Sequence, residues 1–144
     1  MNLSASLNDL IQQIASTLSK QTDELLVNEI GLSYSQYRIL LALEWNPRAQ
    51  QKTIALHLGL TEASVSRQIK LLSASKLISV SRDPLNRRTH TIAVTPLGMQ
   101  QTEAATATLR RTYEPIYSTF GDGQLQQITQ NLQLLQTTLR RQAI

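Results

Sequence analysis

Apolar residues recur at steps of three and four from the start of the chain. Leu3, Leu7, Leu10, Ile14 and Leu18 form one stripe, which predicts a long amphipathic helix over 3–30. Gly31 ends it. Ser33 and Gln36 then form an S-x-x-Q capping box, the start of a second helix. Its inward residues are predicted to be Tyr37, Leu40, Leu41 and Trp45, and Asn46-Pro47 stops it. A short helix near 50–58 turns Ile54 and Leu58 inward, and Gly59 stands where a left-handed residue is wanted. Thr61 caps the next helix, and Glu62 suits its positive N-terminal end.

The period then changes from helix to strand. Leu77 to Arg82 and His90 to Val94 alternate with β-branched residues and read as two strands. Asp83-Pro84-Leu85-Asn86-Arg87-Arg88 joins them as a hairpin tip, with Pro84 presetting φ and Asn86 tolerating the left-handed region. Thr95 as cap and Pro96 at the first helical position open a long helix to about 120. Pro115 inside it removes a backbone donor and is expected to kink it. After Gly121-Asp122-Gly123, Asp122 is expected to cap a last helix to about 142. Leu125, Ile128, Leu132, Leu135 and Leu139 are spaced 3, 4, 3, 4 there, a heptad seam. Packing within the chain is one way to cover that seam. The stripes on both terminal helices favour the other, a two-fold interface built from both ends.

On a helical wheel the helix after Thr61 divides cleanly. Val65, Ile69 and Leu72 face inward, while Ala63, Arg67, Lys70 and Ala74 lie opposite; Ser64 and Ser66 flank the N-terminal half, and Gln68 lies near the buried edge. Two short helices joined by Gly59-Leu60-Thr61, followed by an arginine-bearing hairpin, make a winged helix-turn-helix. The predicted fold class is mainly α with a small β-wing, and terminal dimerisation helices. Thr61, Ser64, Ser66, Arg67, Gln68 and Lys70 are then candidate DNA contacts, Arg67 for guanine and Lys70 for phosphate. Arg87 and Arg88 are the wing's candidates, with Arg87 the preferred one for a narrow minor groove.

Charge sharpens this picture. The net charge is +4, but residues 48–90 alone carry eight basic against two acidic side chains, while 1–47 are net negative. The basic charge coincides with the helix and hairpin motifs, as phosphate contact requires. The 144 residues fit one domain and contain no cysteine, which excludes disulfides and thiolate metal sites. No apolar run has membrane-spanning length and no signal peptide is visible, so the cytoplasm is expected. His57 reads as a partly buried polar residue and His90 as a phosphate contact; together they make no convincing metal site. No phosphate loop or nucleophile motif supports catalysis, and no cofactor is implied. Tyr34, Tyr37, Arg38 and Trp45, with Arg48 nearby, either form a pocket for an aromatic anion or simply pack the hinge.

Leu60-Thr61 through Leu72, Asp83-Pro-Leu-Asn-Arg-Arg88 and Val94-Thr-Pro-Leu-Gly98 together resemble the MarR family of transcription regulators. The resemblance covers nearly the whole chain. It implies a homodimeric repressor on a palindromic operator, with residues 1–30 and 100–144 as dimerisation helices and 33–95 as the DNA-reading lobe. It also implies release by a small aromatic or anionic ligand bound between dimer region and lobe. It assigns DNA contact to Ser64, Ser66, Arg67, Gln68, Arg87 and Arg88. Three residues depart from the family pattern: Asn86 for an aspartate, Lys76 for a glycine that ends the reading helix, and Val80 for a basic residue. Two other functions fit the same fold: a winged-helix module that binds protein, towards which Leu71 points, and a weakly specific architectural DNA-binding protein.

Overall fold

The structure is a computed structural model; it describes residues 2–142, apart from the side chains of Asp83, Arg87, Arg88 and Thr89. The described elements run α1 (Leu3–Glu29), α2 (Tyr34–Trp45), α3 (Gln51–Leu58), α4 (Glu62–Ala74), β1 (Ile78–Asp83), β2 (Asn86–Val94), α5 (Pro96–Tyr117) and α6 (Asp122–Gln142). By compactness the chain falls into two units, divided between Thr108 and Leu109 within α5.

The larger unit holds the core. Ile39, Leu40 and Leu43 of α2, Ile54 and Ala55 of α3 and Val65, Ile69 and Leu72 of α4 pack with Leu32, Leu77, Ile78 and Ile92. Local capping chemistry starts α2 and α4. The Ser33 hydroxyl accepts from Gln36 N–H (3.1 Å) and the Gln36 amide oxygen accepts from Ser33 N–H (3.0 Å), closing the capping box. The Thr61 hydroxyl accepts from Ser64 N–H (3.1 Å). Gly59 takes the left-handed conformation, φ 68°, that ends α3.

The exit of α4 is a Schellman motif built without glycine. Lys76 N–H donates to Ser73 C=O and Leu77 N–H to Leu72 C=O, both at 3.0 Å, with Lys76 at φ 60°. Thr95 ties the next helix to this corner. Its hydroxyl donates to Lys76 C=O (2.7 Å) and accepts from Gly98 N–H (3.0 Å), while its own N–H donates to Leu77 C=O (3.0 Å). Gly98 must be a glycine here, since a Cβ would collide with Leu77 C=O and lie 2.7 Å from Val94 Cγ1. Further along α5, Thr102 Oγ1 donates to Gly98 C=O and Thr106 Oγ1 to Thr102 C=O.

β1 and β2 pair antiparallel with Ile78 opposite Val94, Val80 opposite Ile92 and Arg82 opposite His90. The register then jumps to Asp83 opposite Asn86. This differs from the expected long tip: β2 begins at Asn86, so the backbones of Arg87 and Arg88 lie in the strand and only Pro84-Leu85 turns. A bulge over residues 87–89 absorbs the extra chain.

The smaller unit holds the end of α5 and α6. The α5 helix ends at Tyr117, two residues beyond Pro115. Asp122 is the first residue of α6 rather than its cap. Gly121 precedes it, with Gly121 N–H donating to the Gln124 side chain (3.2 Å). No α6 residue is buried; Leu125 and Leu135 are half-buried, and Ile128, Leu132 and Leu139 are exposed.

Candidate nucleic-acid interface

The reading helix α4 buries Val65, Ile69 and Leu72 in the core and turns its other face outward. Thr61, Arg67 and Lys70 are exposed; Ser64, Ser66 and Gln68 are half-buried. Those six candidates therefore share one helix and its cap, but not equal access. Gln68 is the most constrained: its amide oxygen is buried, with no hydrogen-bond partner among the described residues. Arg67 and Lys70 project at steps of three, the spacing that places two donors on one face. Leu71 lies on the outer side and is about half exposed. The Arg87 and Arg88 side chains lie outside the described residues, so their contribution rests on backbone position in β2 alone.

Strand alternation places Ile78, Val80 and Arg82 on one face of β1, with Val94, Ile92 and His90 on the same face of β2. Ile78 and Ile92 are buried at the base, Val80 is 45% exposed, and Arg82 and His90 are exposed further out. The wing thus grades from apolar at its root to basic towards its turn. Between this face and α4 runs a groove of about 510 Å³. It is lined by Lys70 and Ser73 on one side and by Val80, His90 and Ile92 on the other.

The four residues grouped as a ligand pocket separate into different environments. The Tyr37 ring is buried, and its hydroxyl lies 2.9 Å from Thr106 Oγ1. Thr106 commits its only proton to Thr102 C=O, so Tyr37 is the donor and its polar end is occupied. Tyr34 stacks beneath the Arg38 guanidinium, 5.5 Å from ring centroid to Cζ. Trp45 was expected inward but is 87% exposed. Eight residues of helix separate it from Tyr37, a rotation of about 80° away from the inward face. Arg38 and Trp45 instead line a cleft of about 660 Å³ between α2 and α3, with Leu41, Thr53 and His57. His57 is exposed in this cleft rather than partly buried. Sequence reasoning placed neither Thr53 nor His57 beside Arg38, because that neighbourhood depends on how α3 crosses α2. Arg82 could have been found from strand alternation with Val80.

Among the described residues no cluster of His, Asp or Glu is arranged to hold a metal. No helix among them is long and apolar enough to cross a membrane.

A two-helix corner with its second helix outward, followed by an antiparallel β-pair, is a winged helix-turn-helix. The MarR family model matches residues 30–89, from the end of α1 into the wing. The fold is similar over nearly its full length to BldR from Sulfolobus solfataricus, with TM-score 0.81, 25% identity, and 96% of this chain and 95% of that one covered. A MarR/EmrR family transcriptional regulator from Acinetobacter sp. ADP1 gives TM-score 0.84 at 23% identity, covering 98% of this chain and 99% of that one. MepR of S. aureus, solved as a complex with DNA, gives TM-score 0.79 at 22% identity, covering 92% and 97%. No curated protein matches the sequence significantly. By sequence the MarR family model matches the winged-helix region, and by fold the chain is similar to MarR-type regulators through nearly its whole length.

Proposed function

We propose that this chain is a sequence-specific DNA-binding transcription regulator that acts as a homodimeric repressor of a palindromic operator. The observation that carries this reading is the outward face of α4, with Arg67 and Lys70 exposed beside a wing whose outer residues Arg82 and His90 are basic. The same fold in MepR has been solved on DNA, which supports placing α4 in the major groove. Arg67 is then the base reader and Lys70 a phosphate contact. Thr61, Ser64 and Ser66 lie at the N-terminal end of the helix, the end that meets bases, and Arg87 and Arg88 extend the contact through the wing. A regulator of this kind works in the cytoplasm and needs no catalytic group.

Two apolar stripes support the dimer. Leu3, Leu7, Leu10 and Ile14 on α1 are each about half exposed or more, and Ile128, Leu132 and Leu139 on α6 are 41% to 58% exposed. Soluble monomers rarely leave such stripes uncovered. A two-fold dimer covers both and sets two reading helices about 34 Å apart, one turn of DNA. The test is to capture genomic fragments on the purified protein and sequence them. Enrichment of discrete inverted repeats is the expected result. Uniform recovery of the genome would leave an architectural protein, and no recovery a protein-binding module.

The α2–α3 cleft supports response to a small aromatic anion. Arg38 offers the charge, Trp45 and Leu41 the apolar wall, and the volume suits a drug-sized molecule. Titration with simple aromatic carboxylates is expected to raise the melting temperature of the wild type but not of an Arg38→Ala variant. Equal shifts in both would reject the cleft as the site.

A further inference from the structure

A recess of about 300 Å³ lies where the end of α2, the root of β2 and the start of α5 meet. Base reading does not use it, and it shares no lining residue with the Arg38 cleft. Its wall is apolar: Leu43 is buried, Val94 half-buried, and Pro47 and Met99 are exposed at its edge. Among the described residues lining it the charged groups are both carboxylates, Glu44 from α2 and Glu103 from α5. Glu103 stands four residues after Met99, so carboxylate and thioether share one face of α5. Neither carboxylate has a hydrogen-bonded or ion-paired partner among the described residues. The recess is therefore negative in a chain whose net charge is +4.

Two carboxylates on open surface would need no explanation. These two come from different helices and flank one apolar recess, where their like charges repel until a cation enters. A few convergent polar groups over an apolar wall are the make-up of a small-molecule site. A metal ion does not fit that wall. Hard divalent cations take about six or more oxygen ligands, and among the described residues no group of three metal-ligating side chains exists. We propose that this recess binds a small lipophilic organic cation, an aralkyl ammonium, with its nitrogen between Glu44 and Glu103 and its apolar body on Leu43, Val94 and Met99. The Met99 thioether suits an aromatic ring, since sulfur and ring edges attract. The site is opposite in sign to the Arg38 cleft, so the two recesses sort ligands by charge.

The test titrates the full-length protein with benzyltrimethylammonium by calorimetry, in phosphate buffer and without DNA. Tetramethylammonium supplies the charge without the ring, benzyl alcohol the ring without the charge, and magnesium chloride a metal competitor. Wild type is compared with Glu44→Gln, Glu103→Gln, the double variant and Arg38→Ala. Both carboxylates are exposed, so unchanged melting curves without ligand are expected and serve as the folding control. Saturable binding of millimolar strength is expected, as suits a ligand of about eleven heavy atoms, with both fragments weaker. Each single glutamine variant is expected to weaken it about two- to fivefold, the range for an exposed ion pair. The double variant is expected to lose the preference for the ammonium over benzyl alcohol, and Arg38→Ala to bind as wild type does. The methyl resonance of Met99 in wild type is expected to shift on saturation, a readout that needs no variant. Full affinity in the double variant, equal binding of benzyl alcohol by wild type, displacement by magnesium, a loss in Arg38→Ala, an unmoved Met99 methyl or no saturable binding would each overturn the site. None of these results touches the DNA-binding reading, on which the proposal does not rest.

Discussion

Replacing Lys76 by glycine is expected to stabilise the protein, although it removes a whole side chain. Lys76 sits at φ 60° in the position of the α4 Schellman motif where glycine is favoured. Its backbone N–H and that of Leu77 are both used in the motif, so the chain cannot leave this conformation without losing two hydrogen bonds. A Cβ in the left-handed region costs about 1–2 kcal/mol. Glycine gives some of this back by loosening the unfolded chain, about 0.4–1 kcal/mol. The exposed lysine side chain adds little to set against the change. The net gain is therefore about 0.5–1 kcal/mol, or roughly 2–4 °C in melting temperature for a chain of this size. Thermal and urea unfolding at one fixed protein concentration measure it, since a dimer's melting point depends on concentration. Lys76→Ala is the control that keeps the Cβ and removes the charge. It is expected to be no more stable than wild type. A glycine variant less stable than wild type, or an alanine variant equally stabilised, would refute backbone strain as the cause.

Gly98→Ala should do the opposite, because the added Cβ meets Leu77 C=O and Val94 at the same corner; a loss of about 3 kcal/mol is expected in urea unfolding. Arg67→Ala should weaken specific DNA binding by about 1–3 kcal/mol and flatten the preference at one base pair, read from a set of single-base operator variants. Arg87→Ala with Arg88→Ala should weaken DNA binding without unfolding the dimer, and unchanged affinity would remove the wing from the interface. Polar replacement of Leu132 and Leu135 should give monomers or aggregates by light scattering; a stable, active dimer would deny α6 its role.

The parts of this fold legible in the sequence are those fixed by chemistry within a few residues. Ser33 with Gln36, Thr61, Gly59 and Thr95-Pro96 each mark a helix end through hydrogen bonds or φ values that local residues alone determine. The inward face of α4 was legible for the same reason, since Val65, Ile69 and Leu72 lie on one side of any regular helix. Even the strain at Lys76 could be anticipated from the absence of glycine there. What could not be read depended on accumulated rotation or on contacts between elements. Trp45 looks inward from composition and turns outward by helical phase. The wing turn contracts to Pro84-Leu85 because a bulge takes up residues 87–89, which no turn propensity announces. Tyr37 looked like a ligand contact, yet its hydroxyl is occupied by Thr106, sixty-nine residues away. The groove between Lys70 and His90 has no sequence signature, because it exists only once α4 and β2 are packed.

The central claim is that this protein reads a DNA sequence. Its most direct test is fluorescence anisotropy of the purified protein with DNA from upstream of its own gene, against scrambled DNA of equal length, at low and near-physiological salt. A preference of about a hundredfold or more that survives the higher salt is predicted, because base contacts persist when phosphate contacts are screened. Equal, salt-sensitive affinity for both DNAs would contradict it.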